Sequence, residues 1–193
     1  MAYEIVVVGA STGGLRALRV LLSGLPAEFF LPMVIVQHRG KHMETGLCEF
    51  LAHSSRLPVG EPEDKEPVLP GHAYLAPRDY HLLIQSRSFA LSTESPVGFA
   101  RPSIDVLFES AADEYRKRAI GVILTGANHD GARGLAAIKA QGGLTLVEDP
   151  MTAVCREMPD AAINLTRVDW ILPLQEMAAG LYRLSINPGQ YES

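Results

Sequence analysis

Three side chains suited to nucleophilic and acid–base chemistry each follow an apolar run of this chain. Ser11 comes after the apolar residues 5–8, His38 after 33–36, and Asp130 in the polar turn that follows 120–124. A serine hydroxyl becomes a nucleophile when a histidine takes its proton and a carboxylate orients that histidine. The three residue types therefore predict a serine hydrolase if the fold brings them together. Taken singly, they also fit a helix cap, a strand end and a turn.

The turn around Ser11 carries a local motif. Residues 9–13 read Gly-Ala-Ser-Thr-Gly, the G-x-S-x-G pattern that raises a serine on a sharp strand-to-helix turn. Free N–H groups of the following helix then lie close to an oxyanion that forms on the substrate. The chain order Ser–His–Asp differs from the Ser–Asp–His order of the α/β-hydrolases, so an ordinary esterase of that fold is not implied.

Dinucleotide binding is the main alternative for the same turn. Residues 9–14 approach the pattern G-x-G-x-x-G, but Ser11 stands where close approach of a pyrophosphate requires glycine. The acidic residue expected at the end of the second strand is also missing, because Gln37 and His38 occupy that place. A P-loop is excluded for want of Gly-Lys-Ser/Thr. We therefore expect no cofactor.

Strand-like and helix-like segments alternate along most of the chain. Short β-branched runs typical of strands in a parallel sheet occur at 5–8, 33–36, 120–124 and 144–147. Apolar residues at helical spacing follow at 15–25, 44–54, 104–115, 135–138 and 174–184. This alternation predicts a three-layer α/β/α fold with a doubly wound, mostly parallel sheet. Polar residues at the carboxyl ends of its strands would share one edge, where such sheets bind ligands.

The middle of the chain departs from this alternation. Residues 57–93 contain the short apolar runs 73–75, 82–84 and 89–91, separated by turn-forming residues. They predict an antiparallel hairpin insertion at the edge of the sheet. Because no repeat, linker or low-complexity tract divides the chain, we expect a single domain over residues 1–193.

Two further arrangements have less support. Asp149 also follows a strand and is the alternative to Asp130 as the orienting carboxylate. His38 and His42 have the spacing of zinc ligands on one helical face, but no third ligand with supporting spacing is evident. We therefore expect no metal site.

The other cysteines and histidines have no clear chemical role. Cys48 lies in an apolar helical pattern and is expected in the core, whereas Cys155 lies in a loop with nothing nearby that marks it as a nucleophile. His72, His81 and His129 have no partner that the sequence identifies.

Composition narrows the class of protein. The chain has 193 residues, 47% of them hydrophobic, which is enough for a substantial core and excludes intrinsic disorder. Its net charge of −5 gives no general reason to bind nucleic acid. Two cysteines cannot form a disulfide framework, and no apolar stretch is long enough for a membrane-spanning helix. We expect a cytoplasmic protein with no nucleic-acid partner and no membrane insertion.

Together, the motifs resemble the catalytic domain of the chemotaxis protein-glutamate methylesterases, the CheB family. The resemblance covers about residues 3–185, and the matching segments occur in family order. They are Val8-Gly-Ala-Ser-Thr-Gly-Gly14, Val36-Gln-His38, Pro70-Gly-His-Ala-Tyr-Leu-Ala-Pro77, Arg101-Pro-Ser-Ile-Asp-Val-Leu-Phe108, Leu124-Thr-Gly126, Asp130-Gly131 and Met158-Pro159.

The resemblance implies an enzyme of chemotaxis and two-component signalling. It would remove methyl esters from glutamyl side chains of the chemoreceptor cytoplasmic domain, releasing methanol, and would also deamidate selected receptor glutamines. The resemblance assigns Ser11 as nucleophile, His38 as general acid/base and Asp130 as orienting carboxylate. It assigns the backbone N–H groups of Thr12 and Ala127 as oxyanion donors.

The chain departs from the family pattern in two ways. Ala127 stands where the family commonly has methionine, and Asn128 and His129 follow in a segment that is usually small and polar. The departure at Ala127 leaves a catalytically weak binding or regulatory module as the alternative hypothesis. A two-domain member also carries an N-terminal receiver domain, for which 193 residues leave no room. The chain is either a stand-alone esterase or a piece of a longer protein, and a stand-alone esterase would be constitutively active or controlled by a separate receiver protein.

Overall fold

Seven parallel strands form one sheet in the computed structural model, which describes residues 2–38 and 46–187. In sheet order they are β3 (Val59–Gly60), β4 (Ala73–Leu75), β2 (Met33–Gln37), β1 (Ile5–Ala10), β7 (Ala119–Ile123), β8 (Leu144–Glu148) and β9 (Trp170–Leu172). A separate antiparallel pair consists of β5 (His81–Gln85) and β6 (Ser88–Ser92).

Helices cover both faces of the sheet. They are α1 (Gly14–Gly24), α2 (Leu47–Ala52), α3 (Ile104–Tyr115), α4 (Ala132–Ala140), α5 (Glu157–Leu165) and α6 (Leu174–Ile186), with a 3-10 turn at Arg116–Arg118. One core packs α1, α2 and α6 against the sheet, and the other packs α3, α4, α5 and the β5–β6 hairpin. The predicted three-layer α/β fold is confirmed.

The central strand β1 has all six residues buried because both of its faces are covered. Val6, Val8 and Ala10 face one core, and Ile5 and Val7 face the other. This explains why the run is apolar at every position instead of alternating with polar residues.

The order of the strands places a topological switch point beside β1. After β1 the chain builds the sheet outward on one side through β2 and β4, then returns to add β7, β8 and β9 on the other side. A crevice forms at such a point, outside the carboxyl ends of the strands. The polar residues that follow β1, β2 and β7 therefore meet at one edge.

Three details differ from the sequence-based prediction. The hairpin occupies only 81–92 of the predicted 57–93 insertion, because β3 and β4 pair in parallel with the main sheet. Two elements were not predicted, the three-residue edge strand β9 and the helix α5. The predicted helix near 44–54 is observed as α2, and residues 44 and 45 lie outside the described residues. No helix in the described ranges combines the length and apolarity required to cross a membrane.

Candidate active site

Ser11 begins the tight turn between β1 and α1. Its N–H donates to the carbonyl of Thr125 at 2.9 Å, and its own carbonyl accepts from the N–H of Gly14 at 2.8 Å. Gly13 has a φ of 81°, and a Cβ there would lie 2.6 Å from the Val154 side chain. Glycine is therefore required both by the left-handed backbone and by the close approach of that neighbour.

Gln37 ties this turn to the end of β2. Its side-chain Nε2 donates to the carbonyl of Ser11 at 2.9 Å and to the carbonyl of His38 at 2.8 Å. The His38 N–H also donates to the carbonyl of Ala10 at 3.0 Å. One buried amide therefore fixes the backbone on both sides of the gap between the serine and the histidine.

His38 and Asp130 form a hydrogen-bonded pair. The distance from His38 Nε2 to Asp130 Oδ2 is 2.8 Å, and the two side chains are 14% and 6% exposed. Asp130 lies in the turn between β7 and α4, so the neighbouring strands β2, β1 and β7 bring together residues far apart in sequence.

The Asp130 carboxylate also binds the N-terminus of α3. It accepts hydrogen bonds from the N–H groups of Ile104 at 2.7 Å and Asp105 at 3.0 Å, and from the hydroxyl of Ser103 at 2.9 Å. Burial works to raise the pKa of Asp130, but the hydrogen bonds from His38, Asp105 and Ile104 outweigh it and hold that pKa below its ordinary value. Asp130 is therefore ionised at neutral pH.

A second carboxylate makes the reciprocal contact, from α3 to the start of α4. Asp105, in the first turn of α3, accepts from the N–H groups of Gly131 at 2.9 Å and Gly134 at 2.8 Å at the start of α4. Gly131 itself has a φ of 97°, and a Cβ there would lie 2.6 Å from Ile104. Each helix thus receives a carboxylate from the other at its N-terminus, where anionic groups are favourable.

Asn128 lies between the serine and the histidine. Its Oδ1 accepts from the N–H of Asp130 at 2.9 Å, which fixes the amide so that Nδ2 faces His38 Nδ1 at 3.0 Å. The same Nδ2 is 3.5 Å from Ser11 Oγ. Since Nδ2 can only donate, Nδ1 is the acceptor and the imidazole proton is on Nε2, toward Asp130. Ser11 and His38 share this amide and have no direct hydrogen bond to each other.

The N–H groups of Thr12 and Ala127 have no intramolecular acceptor within the described part of the chain. Both residues are exposed: Thr12 lies two residues beyond the end of β1, and Ala127 lies four residues beyond the end of β7. Thr125, two residues before Ala127, donates its hydroxyl to the carbonyls of Thr12 and Cys155, at 2.9 and 3.2 Å. These contacts hold the two loops that carry the free donors beside each other.

A cleft of about 1430 Å³ opens over these residues, and Ser11, Thr12, His38 and Asn128 line it. No set of three His, Cys, Asp or Glu side chains among the described residues is arranged to hold a metal ion. His42, the second member of the predicted zinc pair, lies outside those residues.

The remaining sequence candidates lie elsewhere or have structural contacts. Asp149 Oδ1 accepts from the N–H of Met151 at 2.9 Å within its own turn, and Asp130 is the carboxylate that contacts His38. The N–H of Cys155 donates to the Thr125 hydroxyl at 2.9 Å, and Cys48 is half-buried in α2.

The three histidines for which the sequence analysis identified no partner differ from one another. His72 Nδ1 lies 2.9 Å from the carbonyl of Pro70, and His129 is exposed. His81 is buried, and its Nδ1 accepts from the N–H of Ser103 at 3.2 Å. It therefore supports the residue that hydrogen-bonds to Asp130.

Sequence reasoning missed the side chains that assemble the site. Gln37 gave a usable signal, because an amide at the end of a buried strand requires hydrogen-bond partners. Ser103 and Asp105 gave only the ordinary pattern of a helix start. Nothing local in the sequence indicated that Asn128 would reach both Ser11 and His38.

Comparison with known proteins identifies relatives over nearly the whole chain. The sequence profile described as CheB methylesterase matches residues 6–181. A Leptospira interrogans protein with the provisional name protein-glutamate methylesterase/protein-glutamine glutaminase is 46% identical over 97% of both chains. The crystal structure of the Thermotoga maritima CheB methylesterase catalytic domain matches with a TM-score of 0.91 and 36% identity, over 95% of this chain and 100% of that one.

Other relatives are longer. The protein-glutamate methylesterase/protein-glutamine glutaminase 2 of Anaeromyxobacter dehalogenans is 43% identical over 94% of this chain, which spans 53% of that protein. The corresponding Pseudomonas aeruginosa protein, numbered 3, is 40% identical over 92% of this chain, which again spans 53% of its length.

Replacing Asp130 by asparagine tests its electrostatic role. The pKa of Asp130 is lower in the folded protein than in the unfolded chain. The ionised carboxylate therefore contributes its full stabilisation above the unfolded pKa of about 4, and this stabilisation is lost as the pH falls through the lower pKa of the folded state. At pH 7 we expect Asp130→Asn to reduce the free energy of unfolding by about 1–3 kcal/mol. Urea unfolding should show that difference shrinking below about pH 4.

Asp160→Asn provides the matched control. The hydrogen bond from Arg156 also lowers the pKa of Asp160, but that pair is at the surface. We expect a smaller effect that salt removes. A pH-independent difference between the protein and Asp130→Asn would contradict the ionised state assigned to Asp130.

Proposed function

Because the chain belongs to the CheB methylesterase family, we propose that it hydrolyses glutamyl methyl esters in a methylated chemoreceptor and releases methanol. The observation that carries this proposal is the hydrogen bond between His38 Nε2 and Asp130 Oδ2, 2.8 Å long, in a cleft that Ser11 also lines. The names of the relatives support both the ester bond and the protein substrate.

In the first half of the reaction, Ser11 Oγ attacks the ester carbonyl carbon while its proton passes to His38 Nδ1. The contact with Asp130 holds the other ring proton on Nε2, so Nδ1 presents its lone pair, and the carboxylate stabilises the imidazolium that forms. The free N–H groups of Thr12 and Ala127 are our candidates for binding the oxyanion. The tetrahedral intermediate collapses, the C–O bond to methoxide breaks, and His38 Nδ1–H protonates the leaving group to give methanol.

In the second half, water hydrolyses the acyl-enzyme. His38 Nδ1 takes a proton from the water as its oxygen attacks the acyl carbon, and then returns a proton to Ser11 Oγ as the C–O bond to serine breaks. The product is a glutamate side chain. A glutamine substrate follows the same course with ammonia as the leaving group, so the same site would support glutaminase activity.

Asn128 has a defined place in this scheme. Its amide cannot relay a proton, so Ser11 Oγ must itself reach Nδ1 when substrate binds, and catalytic hydrogen bonds commonly shorten on forming that complex. Until then, the donation from Nδ2 keeps the Nδ1 lone pair directed at the serine side of the ring. We propose Asn128 as a positioning residue for the imidazole.

Methanol release from methylated receptor membranes tests the activity. Ser11→Ala should lower the rate by about 10⁴–10⁶, because the nucleophile is lost. Ser23→Ala is the control, since Ser23 is an exposed residue of α1 whose hydroxyl donates to the carbonyl of Val20 in the same helix. Equal rates for the protein and Ser11→Ala, or no methanol from either, would favour the binding-module alternative.

Asn128→Asp tests the assignment of Nδ1 as the catalytic base. A carboxylate at this position requires a proton on Nδ1 while Asp130 requires one on Nε2, so His38 is held as an imidazolium with no lone pair. We expect methanol release to fall by about 10²–10⁴, the usual contribution of general base catalysis. The ¹⁵N resonances of His38 should change from one protonated nitrogen to two.

Two controls accompany that variant. Asn164→Asp adds the same charge at an exposed position of α5 outside the cleft and should leave the rate unchanged. Asn128→Ala removes the amide without adding a carboxylate and should retain the larger part of the activity. An Asn128→Asp enzyme with the parental rate and a neutral imidazole would refute the role given to Nδ1.

A further inference from the structure

The cleft over Ser11 has a charge opposite to that of the chain. The protein carries a net charge of −5, with 22 acidic residues against 17 basic ones. Yet the described residues that line the cleft include four arginines, Arg16, Arg19, Arg78 and Arg101, and a single carboxylate, Asp79. The cationic lining is therefore local to the nucleophile and does not reflect composition.

Three separate segments of the chain supply these arginines. Arg16 and Arg19 lie one turn apart on α1, directly after the Ser11 turn, and both are exposed. The Arg19 guanidinium stands 5.9 Å from the ring centroid of Phe50, another cleft residue, and this contact restricts its position. Arg78 follows β4, and Arg101 precedes α3.

Hydrogen bonds to backbone carbonyls fix the position of the Arg101 side chain. Its Nη1 donates to the carbonyls of Thr93 at 2.9 Å and Glu94 at 3.0 Å. Its Nε is buried and has no hydrogen-bond partner among the described residues. The guanidinium is thus anchored by neutral acceptors, and no carboxylate among the described residues forms an ion pair with it.

Three of the four cleft arginines differ from several other arginines of the chain in their ion pairing. Within residues 2–38 and 46–187, Arg16, Arg19 and Arg101 make no ion pair. Elsewhere, Arg87 and Arg118 pair with Glu4, Arg133 with Asp105, and Arg156 with Asp160. Unpaired guanidinium groups beside a nucleophile are suited to carboxylates that arrive with the substrate.

We propose that the cleft binds free carboxylates on the residues that flank the reacting ester. Its occupant is a segment of a protein substrate that carries aspartate or glutamate close to the esterified glutamyl side chain. This inference rests on the proposed function and deepens it, because it states which esters the enzyme prefers. It follows that hydrolysis, which creates one more carboxylate, leaves a product that the same arginines also bind.

Two synthetic peptides test the preference. Each carries one glutamyl γ-methyl ester, with glutamates as neighbours in one peptide and serines in the other. Exposed ion pairs contribute little singly, so we expect kcat/KM for methanol release to be only about five- to tenfold higher for the glutamate-flanked peptide at low salt. The difference should disappear at about 1 M salt, where the Debye length is about 3 Å.

Charge-neutralising variants test whether the cleft arginines cause the preference for the glutamate-flanked peptide. Arg16→Gln combined with Arg19→Gln should reduce the preference to about twofold or less, chiefly by lowering kcat/KM for the glutamate-flanked peptide. Arg167→Gln is the matched control, because Arg167 is an exposed arginine between α5 and β9 that does not line the cleft. It should keep the full preference.

The outcomes separate this inference from the function on which it rests. Equal kcat/KM for the two peptides, or an equal loss of preference in Arg167→Gln, would overturn carboxylate recognition while Ser11-dependent methanol release stands. Hydrolysis of receptor membranes with no hydrolysis of either peptide would also overturn it, because a flanked segment would then not be what the cleft recognises. No Ser11-dependent methanol from any substrate would overturn the proposed function itself.

Discussion

The Asp130 carboxylate is the interaction on which the candidate site depends. Its two oxygens accept from the His38 imidazole, from the N–H groups of Ile104 and Asp105, and from the Ser103 hydroxyl. An isolated buried carboxylate would be costly, and these four donors compensate for that burial. The group that orients the histidine is therefore also the group that satisfies the first turn of α3.

The two sets of Asp130 contacts connect the stability of the helices to the geometry of the candidate site. Asp105, whose N–H binds Asp130, offers its own carboxylate to the start of α4, so the two helices and the intervening turn fix one another. Asn128 is held by the N–H of Asp130 and extends the same network to Ser11. The Gln37 side chain adds a further connection, because it donates to the backbone carbonyls of both Ser11 and His38. The imidazole is consequently held by hydrogen bonds that come from several elements of the fold.

The elements that carry the strongest local pattern were predictable from sequence. Apolar runs such as 5–8 and 120–124 have no polar face, which requires burial between two layers, and parallel strands bring their carboxyl ends to one edge. Ser11, His38 and Asp130 could therefore be placed at that edge without coordinates. The short strands β4 and β9 could not be assigned reliably, because three residues are too few to show a period.

The supporting contacts were beyond local reasoning for a different reason. Asp130 meets residues 25 to 27 positions earlier, and Asn128 reaches a serine 117 positions away. Such partners are set by the packing of α3 against α4 and by strand order, neither of which has a local sequence pattern. The arginines of the cleft were equally hidden, since they come from three separate segments of an acidic chain.

Labelling with a fluorophosphonate is the most direct test of a Ser11 nucleophile activated by His38. The serine oxygen attacks phosphorus and fluoride leaves, so peptide mapping by mass spectrometry identifies the serine that reacted. We predict one phosphonylated residue, Ser11, and a labelling rate lower by about 10²–10⁴ in His38→Ala, because the base is lost. A label on a different serine, or equal labelling of Ser11 in the presence and absence of His38, would contradict the site described for this protein.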